Sequence, residues 1–285
     1  MEGSLLIVGV GFMGGSFALA LREGGFRGRI YGIDINPGSL RKAKEIGVIE
    51  EGSQDLLSVV DFSPNFVVLS SPVGTFRDIA LSLKDRIDPD TIVTDLGSVK
   101  GELVLSLEEI LGSRFVGGHP IAGTEKAGVE FSRGDLFKGR KVILTPTTKT
   151  DAKVLETVRR LWELTGAEVE LMDPFLHDRV FGAVSHLPHA VAFALIDALV
   201  GMDFGIDLFK YPGGGFKDFT RIAASDPIMW RDIFLENREN VILAIDAYLN
   251  SLKRLRELID RGEKEELTGY LREARDRRVR IGWES

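Results

Sequence analysis

The sequence of 285 residues contains no cysteine and only four histidines. Without cysteine the chain cannot form a disulfide, a thiolate nucleophile or a cysteine-ligated metal centre, and we expect no metal site. Basic residues are outnumbered by acidic ones, 36 against 43, and the formal net charge is −7. This balance argues against a general nucleic-acid-binding surface. Because the chain has no cysteine and histidine titrates near neutral pH, the four histidines are the first candidates for acid–base chemistry.

Signals for export or membrane insertion are also missing. We find no apolar run of the ~18–20 residues that a bilayer span needs. The start, MEGSLLIVGVG, has an acidic second residue and continues directly into glycines, unlike the basic and then apolar start of a signal peptide. The sequence therefore predicts a cytoplasmic protein whose partners include neither a membrane nor a nucleic acid.

A glycine-rich turn near the N-terminus carries the first chemical motif. Residues 5–8 form an apolar run typical of a buried strand, and a helical pattern follows the glycines. In the G-x-G-x-x-G spacing, the glycines permit a tight turn, close approach of a pyrophosphate to the backbone, and close packing of helix on strand. The free N–H groups of the helix would then face the phosphates. The predicted cofactor-binding residues of this turn are Gly9, Gly11, Phe12, Met13 and Gly14.

Asp34 indicates which dinucleotide the turn would bind. It ends the second predicted strand, about 20 residues beyond the glycines, where an acidic residue hydrogen-bonds the adenosine ribose. A carboxylate there accepts hydrogen bonds from ribose hydroxyls and repels a 2′-phosphate, which favours NAD over NADP. Arg41 lies nearby and is able to hold a phosphate, so NADP stays open.

Strands and helices alternate through the first half of the chain. Further strands are predicted at 65–73, 90–100, RFVGGHP, RKVILTP and 167–172, with helices at 75–84, 101–111 and 151–164. This alternation predicts an α/β Rossmann domain over residues 1–172, with a doubly wound, mainly parallel sheet. Ligands bind beyond the carboxyl ends of such strands. The residues predicted at these ends, and so at one edge of the sheet, are Ser70, Ser71, Pro72, Ser98 and His119.

The alternation stops at residue 173, and residues 173–285 are predicted to form an all-α domain. One long apolar helix follows, which Pro188 should kink because proline lacks an N–H and crowds the preceding turn. A second long helix is predicted over 226–260. Helices that are apolar on several faces need several neighbours, so we expect this domain to complete its core across a homodimer interface.

Two polar pairs in the helical half have the four-residue spacing of one helix face. Ser185 and His189 form the first pair, for which simple packing of the histidine is the alternative. Lys217 and Arg221 form the second, after three glycines. Two cations on one face suit an anion such as a carboxylate, whereas a solvated helix end would show the same pattern.

Several motifs together resemble the prephenate and arogenate dehydrogenases of tyrosine biosynthesis. They are GVGFMGGSFALAL, VVLSSPV, VTDLGSVK, VGGHPIAGTEKAG, DRVFGAVSHLPHAVAFAL and GGGFKDFTRIAASDPIMWRDI, and they span nearly the whole chain. The resemblance implies a Rossmann domain, a helical dimerisation domain and NAD-dependent oxidative decarboxylation of prephenate to 4-hydroxyphenylpyruvate. Arogenate, which carries an amino group in place of the keto group, is the alternative substrate.

The resemblance also implies roles for individual residues. His119 matches the base that accepts the 4-hydroxyl proton, with Ser98 hydrogen-bonding in the same cluster. Arg221 matches the arginine that binds a substrate carboxylate. The remaining substrate-pocket matches are Ser185, His189, Lys217 and Glu125. Gly117 and Gly118, beside His119, are expected to leave room for substrate and nicotinamide.

Two less similar functions fit parts of the pattern. A 3-hydroxyacid dehydrogenase has the same two-domain plan but uses a lysine on the long helix, where VFGAVSHLPHAV has histidines. A non-catalytic NAD-binding sensor would show no turnover, and substitution of His119 would leave its function unchanged.

Overall fold

The structure, a computed structural model, describes residues 3–123 and 126–281 and has an eight-stranded sheet in the first half of the chain. Its order is β3-β2-β1-β4-β5-β6-β7-β8. All neighbours pair in parallel except β6 and β7. The strands are β1 Ser4–Val8, β2 Arg29–Ile33, β3 Glu51–Ser53, β4 Phe66–Leu69, β5 Ile92–Asp95, β6 Phe115–Pro120, β7 Lys141–Thr145 and β8 Glu168–Leu171.

Helices cover both faces of this sheet, as the doubly wound prediction requires. They are α1 Phe12–Glu23, α2 Pro37–Glu45, α3 Val59–Phe62, α4 Phe76–Leu83, α5 Gly101–Leu111 and α6 Ala152–Leu164. Phe17 of α1 and Trp162 of α6 are fully buried in the core on one face. Phe76 of α4 and Leu103 of α5 are buried in the core on the other face.

The second half of the chain is helical. Its helices are α7 Pro174–Phe181, α8 Leu187–Val200, α9 Gly214–Thr220, α10 Pro227–Glu236, α11 Arg238–Arg261 and α12 Lys264–Arg280. Trp230 and Ile233 of α10 extend the core beneath α4 and α5. Arg77 of α4 donates to both carboxylate oxygens of Glu236 at 2.9 and 2.8 Å. The helical half therefore docks onto one face of the Rossmann domain.

The sheet differs from the sequence prediction at both of its ends. The strand β3 was not predicted, because its three residues are polar or glycine and have no apolar alternation. Strand β7 runs antiparallel to β6, with Gly117 opposite Thr145 and His119 opposite Ile143. A parallel pair needs a crossover connection, whereas the described part of the segment between β6 and β7 holds one short 3-10 turn, Val129–Phe131. The last two strands therefore reverse direction.

The two long helices predicted from the sequence are each divided. A π-helical turn, Gly182–His186, separates α7 from α8 and places Pro188 in the first turn of α8. The wider turn accommodates a residue without an N–H, and proline is tolerated at that position. Asn237 separates α10 from α11. The prediction of one helix over 226–260 was wrong, because the backbone of Asn237 leaves the helical conformation, with φ −108° and ψ 31°. Its buried side chain donates to the Asp178 carbonyl oxygen at that break.

Segment Pro174–Val200, counted as a single helix, is long and apolar enough to span a membrane by length and composition. We predict no such run from the sequence, so the structure corrects this expectation. One helix of this kind is weak evidence, and His177, Asp178 and His186 within it are buried against other parts of the protein. Its exposed apolar side chains include Val184 and Val200, at 65% and 68% exposure.

Candidate active site

The carboxyl ends of four parallel strands meet at one edge of the sheet. Gly9 follows β1, Ser70 follows β4, Ser98 lies in the loop after β5, and His119 is the fifth residue of β6. Because β1, β4, β5 and β6 are parallel neighbours, the glycine turn and the histidine share this edge. The structure thus brings together residues from segments that are far apart in the chain.

Backbone geometry explains the glycines of the turn. Gly9 has φ +95°, and a Cβ there would lie 2.5 Å from the Ser71 nitrogen. At Gly14 a Cβ would lie 2.7 Å from the Gly9 oxygen. Gly11 precedes the first residue of α1, and a Cβ there would meet nothing within 4 Å. Two glycines are therefore required by protein packing, whereas Gly11 borders the open space that a pyrophosphate would enter.

Asp34 and Ser70 flank this open space. One carboxylate oxygen of Asp34 accepts from the Val10 N–H and the other from the Asn36 N–H, both at 2.8 Å. The partly exposed carboxylate is thereby held in place with further lone pairs for ribose hydroxyls. The buried Ser70 Oγ has no hydrogen-bond partner among the described residues. The residues present fit a dinucleotide: a bare helix N-terminus, a fixed carboxylate and an unsatisfied hydroxyl.

The other predicted cofactor residues lie around the same turn. Phe12 is buried and Met13 half-buried at the start of α1. Ser71 Oγ hydrogen-bonds Thr75 Oγ1 at 2.8 Å, and Pro72 beside it is exposed.

Gly9→Ala is expected to weaken NAD⁺ binding at least about tenfold and to lower the free energy of unfolding. The added Cβ meets backbone atoms in a left-handed conformation, so the turn must shift. Gly47→Ala is the matched control, because Gly47 has φ +74° with nothing within 4 Å of a Cβ. It should cost only the conformational strain, about 1–2 kcal/mol. Calorimetric NAD⁺ titration and urea unfolding check both variants, and equal NAD⁺ affinities would contradict this account.

His119 is enclosed by groups from the helical half. It is 9% exposed, and its Nδ1 lies 2.8 Å from His177 Nε2. Nδ1 of His177 lies 2.8 Å from Asp178 Oδ1. The Phe181 ring contacts both imidazoles, with centroid distances of 4.7 Å to His119 and 4.4 Å to His177. An Asp–His–His chain therefore ends at the predicted base.

A buried ion pair supports the loop that carries Ser98. Lys100 and Asp95 are each 1% exposed at their side chains and meet at 2.6 Å. Lys100 Nζ also donates to the Gly97 and Val99 oxygens at 2.8 and 3.0 Å. Asp95 accepts from the N–H groups of Gly97 and Gly118 at 2.8 and 3.0 Å. The pair thus joins the β5 loop to β6, next to His119.

Burial keeps the histidines of this site neutral. It lowers the pKa of His119 well below 6.5, and neighbouring His177, Lys100 and His186 act in the same direction. Burial likewise lowers the pKa of His177 to about 2 and that of His186 to about 4. For Asp178, burial raises the carboxyl pKa to about 6, against the opposing effect of the Lys100 N–H. At pH 7 His119 is therefore an unprotonated imidazole, able to accept a proton.

The helical half also places the second predicted histidine near the site. His189 stacks on Trp230 with a centroid distance of 3.7 Å, and its Nδ1–H donates to the Ser185 carbonyl oxygen at 3.0 Å. Burial lowers the pKa of His189, the hydrogen bond to Ser185 opposes this effect, and the nearby cation Arg221 adds to it. Of the predicted pairs, Ser185–His189 is thus joined through the Ser185 backbone, and Arg221 is close to it.

The remaining predicted residues lie at the margin. Lys217 is exposed on α9, one turn before Arg221, and Glu125 lies outside the described residues. The expected role of Gly117 and Gly118 was wrong. A Cβ at Gly117 would lie 2.5 Å from Thr145 Oγ1, and a Cβ at Gly118 would lie 2.8 Å from the backbone carbonyl oxygen of Asp95. These glycines make room for the protein's own strands and not for ligands.

Four residues of this arrangement were not predicted from the sequence: Asp95, Lys100, His177 and Asp178. A signal for two of them was available, because His177 and Asp178 are adjacent ionisable residues within an apolar stretch. Buried ionisable groups are rare unless they are paired. Their partner His119, however, lies 58 residues away in the chain.

Comparison with known proteins agrees with the two-part architecture. Residues 17–171 match the family model of the prephenate dehydrogenase nucleotide-binding domain, and residues 173–273 match that of the prephenate dehydrogenase dimerization domain. Prephenate dehydrogenase of Bacillus subtilis (strain 168) is 34% identical over 281 residues, covering 98% of this chain and 76% of that protein. Cyclohexadienyl dehydrogenase of Zymomonas mobilis is 30% identical over 280 residues, covering 97% and 95%.

Solved structures show the same similarity. Aquifex aeolicus prephenate dehydrogenase, crystallised with hydroxyphenyl propionate and NAD⁺, is 63% identical with a TM-score of 0.95, covering 99% of this chain and 98% of that one. Synechocystis arogenate dehydrogenase is 29% identical with a TM-score of 0.79, covering 98% and 99%.

Proposed function

Because the chain belongs to the prephenate dehydrogenase family, we propose that it converts prephenate and NAD⁺ to 4-hydroxyphenylpyruvate, carbon dioxide and NADH, with His119 as the base. The observation that carries this proposal is a buried, neutral imidazole at the sheet edge that also holds the dinucleotide turn. NAD, when bound at this turn, supplies the hydride acceptor. The residues that would hold it are Gly9, Gly11, Phe12, Met13, Gly14, Asp34, Ser70, Ser71 and Pro72.

In this proposal the protein's own groups accept and return one proton and bind the two carboxylates of the substrate. His119 accepts the 4-hydroxyl proton as the C4–H bond breaks, and Ser98 hydrogen-bonds the same hydroxyl. When carbon dioxide leaves C1, the electrons of the broken carbon–carbon bond stay in the ring, which becomes aromatic. The proton on His119 then returns to the phenolic oxygen. The imidazole is thereby regenerated without a net change in protonation.

Substrate binding is assigned to the helical half. Arg221 would bind a carboxylate through its planar fork of N–H donors. His189 and Ser185 would line the pocket next to it. Lys217 and Glu125 are proposed to orient or gate substrate at the mouth of the cleft.

Arogenate is the second candidate substrate. The similarity to Synechocystis arogenate dehydrogenase and to cyclohexadienyl dehydrogenase of Zymomonas mobilis supports testing both compounds. They differ only at the side arm, far from the 4-hydroxyl, so the role of His119 is the same for either. Comparison of kcat/KM for prephenate and arogenate decides between them.

NADH formation from prephenate is the direct test, and Arg221→Ala tests the carboxylate site. The variant is expected to raise KM for prephenate about tenfold or more with a smaller change in kcat, because a charge-assisted hydrogen bond contributes about 1.5–3 kcal/mol. Arg160→Ala on α6 is the control, because it also removes an exposed arginine but lies away from the sheet edge, and it should leave KM unchanged. Absence of NADH formation with both substrates would refute the proposed function.

Homodimer formation follows from the matched dimerization domain. Apolar side chains exposed on α11, such as Leu243 at 67%, offer surface for this contact. We further propose that the domain boundary lies at residue 172, between β8 and α7, and that the protein is cytoplasmic. Limited proteolysis and cell fractionation test these two assignments.

A further inference from the structure

The chain of hydrogen bonds behind His119 has a fixed direction. Asp178 Oδ1 accepts from the backbone N–H of Lys100 at 2.7 Å, and the same oxygen lies 2.8 Å from His177 Nδ1. A backbone N–H can only donate, so Oδ1 accepts from Lys100. Burial raises the pKa of Asp178 only to about 6, so at pH 7.5 the group is mainly a carboxylate, whose oxygens accept and do not donate. His177 Nδ1 must therefore carry the hydrogen of that contact.

The donor and acceptor roles of the His177 nitrogens determine those of the His119 nitrogens. A neutral imidazole with hydrogen on Nδ1 has its lone pair on Nε2. Nε2 of His177 thus accepts, and the group that donates to it at 2.8 Å is Nδ1–H of His119. Nε2 of His119 is then unprotonated. This is the form that a base needs, since the opposite tautomer would offer the substrate hydroxyl a donor.

Neutral rings are a condition of this reasoning, and the surroundings meet it. His177 and Asp178 are 0% and 4% exposed. Among the described residues, Lys100 and His186 are the other ionisable groups that act on the two rings, and both act with burial to lower the pKa of His119 and of His177. Phe181 supplies the apolar contact. Neither ring carries a proton on both nitrogens at pH 7.

We propose that His177 and Asp178 are positioning residues that hold His119 in the tautomer with hydrogen on Nδ1 and a free lone pair on Nε2. Neither residue touches the reacting atoms. An unconstrained imidazole populates both tautomers, and the hydrogen bond made by one ring nitrogen sets the state of the other. This inference rests on the proposed role of His119 as base, but the tautomer itself is measurable without substrate.

Nitrogen-15 NMR of the imidazole rings tests the tautomer, because protonated and unprotonated ring nitrogens differ widely in chemical shift. The chain has only four histidines, so single substitutions assign every signal. In the wild-type protein at pH 7.5 we expect His119 to show a protonated Nδ1 and an unprotonated Nε2. The opposite pattern, or a mixture, would overturn the proposal.

Two variants separate the hydrogen-bond chain from packing. His177→Phe keeps a ring against Phe181 but removes the acceptor, so His119 should populate the other tautomer and kcat should fall about tenfold or more with KM within about threefold. Asp178→Asn retains an oxygen facing the Lys100 N–H and His177 Nδ1. It should preserve the tautomer and lower kcat less than His177→Phe does.

Phe181→Leu is the control for packing, because it loosens the contact with both rings and leaves their hydrogen bonds in place. It should lower stability without changing the His119 tautomer. If His177→Phe does not fold, His177→Gln provides the same comparison, since its amide loses the directional link to Asp178. An unchanged tautomer and unchanged kcat in the His177 variant would refute the positioning role. Failure of the wild-type protein to turn over both prephenate and arogenate would instead refute the proposed function.

Discussion

His119→Asn is expected to lower kcat for prephenate by about 10²-fold or more, with KM changed by less than about threefold. General base catalysis contributes roughly 10²–10⁴-fold to a rate, and the base acts in the transition state more than in the ground state. Asparagine keeps a polar side chain facing His177 but has no basic nitrogen. Steady-state NADH formation gives both constants, and retention of nearly full kcat would show that His119 is not the base.

His189→Asn provides the contrast, because it replaces the same residue type in the same cleft. His189 stacks on Trp230 and lies near Arg221, so its loss should act mainly on KM. NAD⁺ titration of both variants shows whether the cofactor site is intact.

The pH profile gives a second check on the base. Protonation of His119 abolishes proton acceptance, and burial lowers its pKa well below 6.5. The wild-type kcat/KM should therefore stay constant as pH falls from 8 to 6.5 and decline only below that range. A decline that begins above pH 7 would contradict a neutral, buried imidazole.

Lys100→Met is expected to lower the free energy of unfolding by about 3–5 kcal/mol at pH 8, a large part of the 5–15 kcal/mol typical of a folded domain. Methionine fills most of the space but leaves Asp95, itself 1% exposed, without its cation. Burial already raises the pKa of Asp95, and Lys100 opposes that effect. Guanidinium unfolding measures the change.

The loss should depend on pH with a definite sign. Without Lys100 the pKa of Asp95 in the folded variant rises further above its unfolded value of 3.8. The folded variant then binds more protons than the unfolded chain, so its stability falls as pH rises and the deficit is larger at pH 8 than at pH 5.

Lys141→Met is the matched control, because Lys141 forms an ion pair with Glu170 whose side chains are 57% and 47% exposed. An exposed pair contributes about 0–1 kcal/mol, so this variant should stay near the wild type at both pH values. Equal losses in the two lysine variants would show that burial of the Asp95–Lys100 pair is not the cause.

Much of the fold follows from local patterns that need no knowledge of distant residues. The spacing of Gly9, Gly11 and Gly14 between a strand and a helix predicts the turn, and α5 begins and ends where its helical pattern predicts. The alternation of strands and helices predicts the doubly wound sheet. Such features are local, because backbone sterics and hydrophobic periodicity act within a few residues. The roles of the predicted site residues, from His119 to Arg221, stay predictions until they are assayed.

The sequence by itself determined the class of the fold, the dinucleotide turn and the histidine at the edge of the sheet. Only the tertiary structure decided the direction of β7, the break at Asn237 and the partners of His119. The direction of β7 depends on the connection that precedes it, and the other two depend on buried polar groups, which bond to whatever partner the fold places beside them. Asn237 donates to the Asp178 carbonyl oxygen at 2.8 Å, and His177 meets His119 across 58 residues of chain. No local pattern encodes such a pairing, because the two partners become neighbours only when the helical half docks on the sheet.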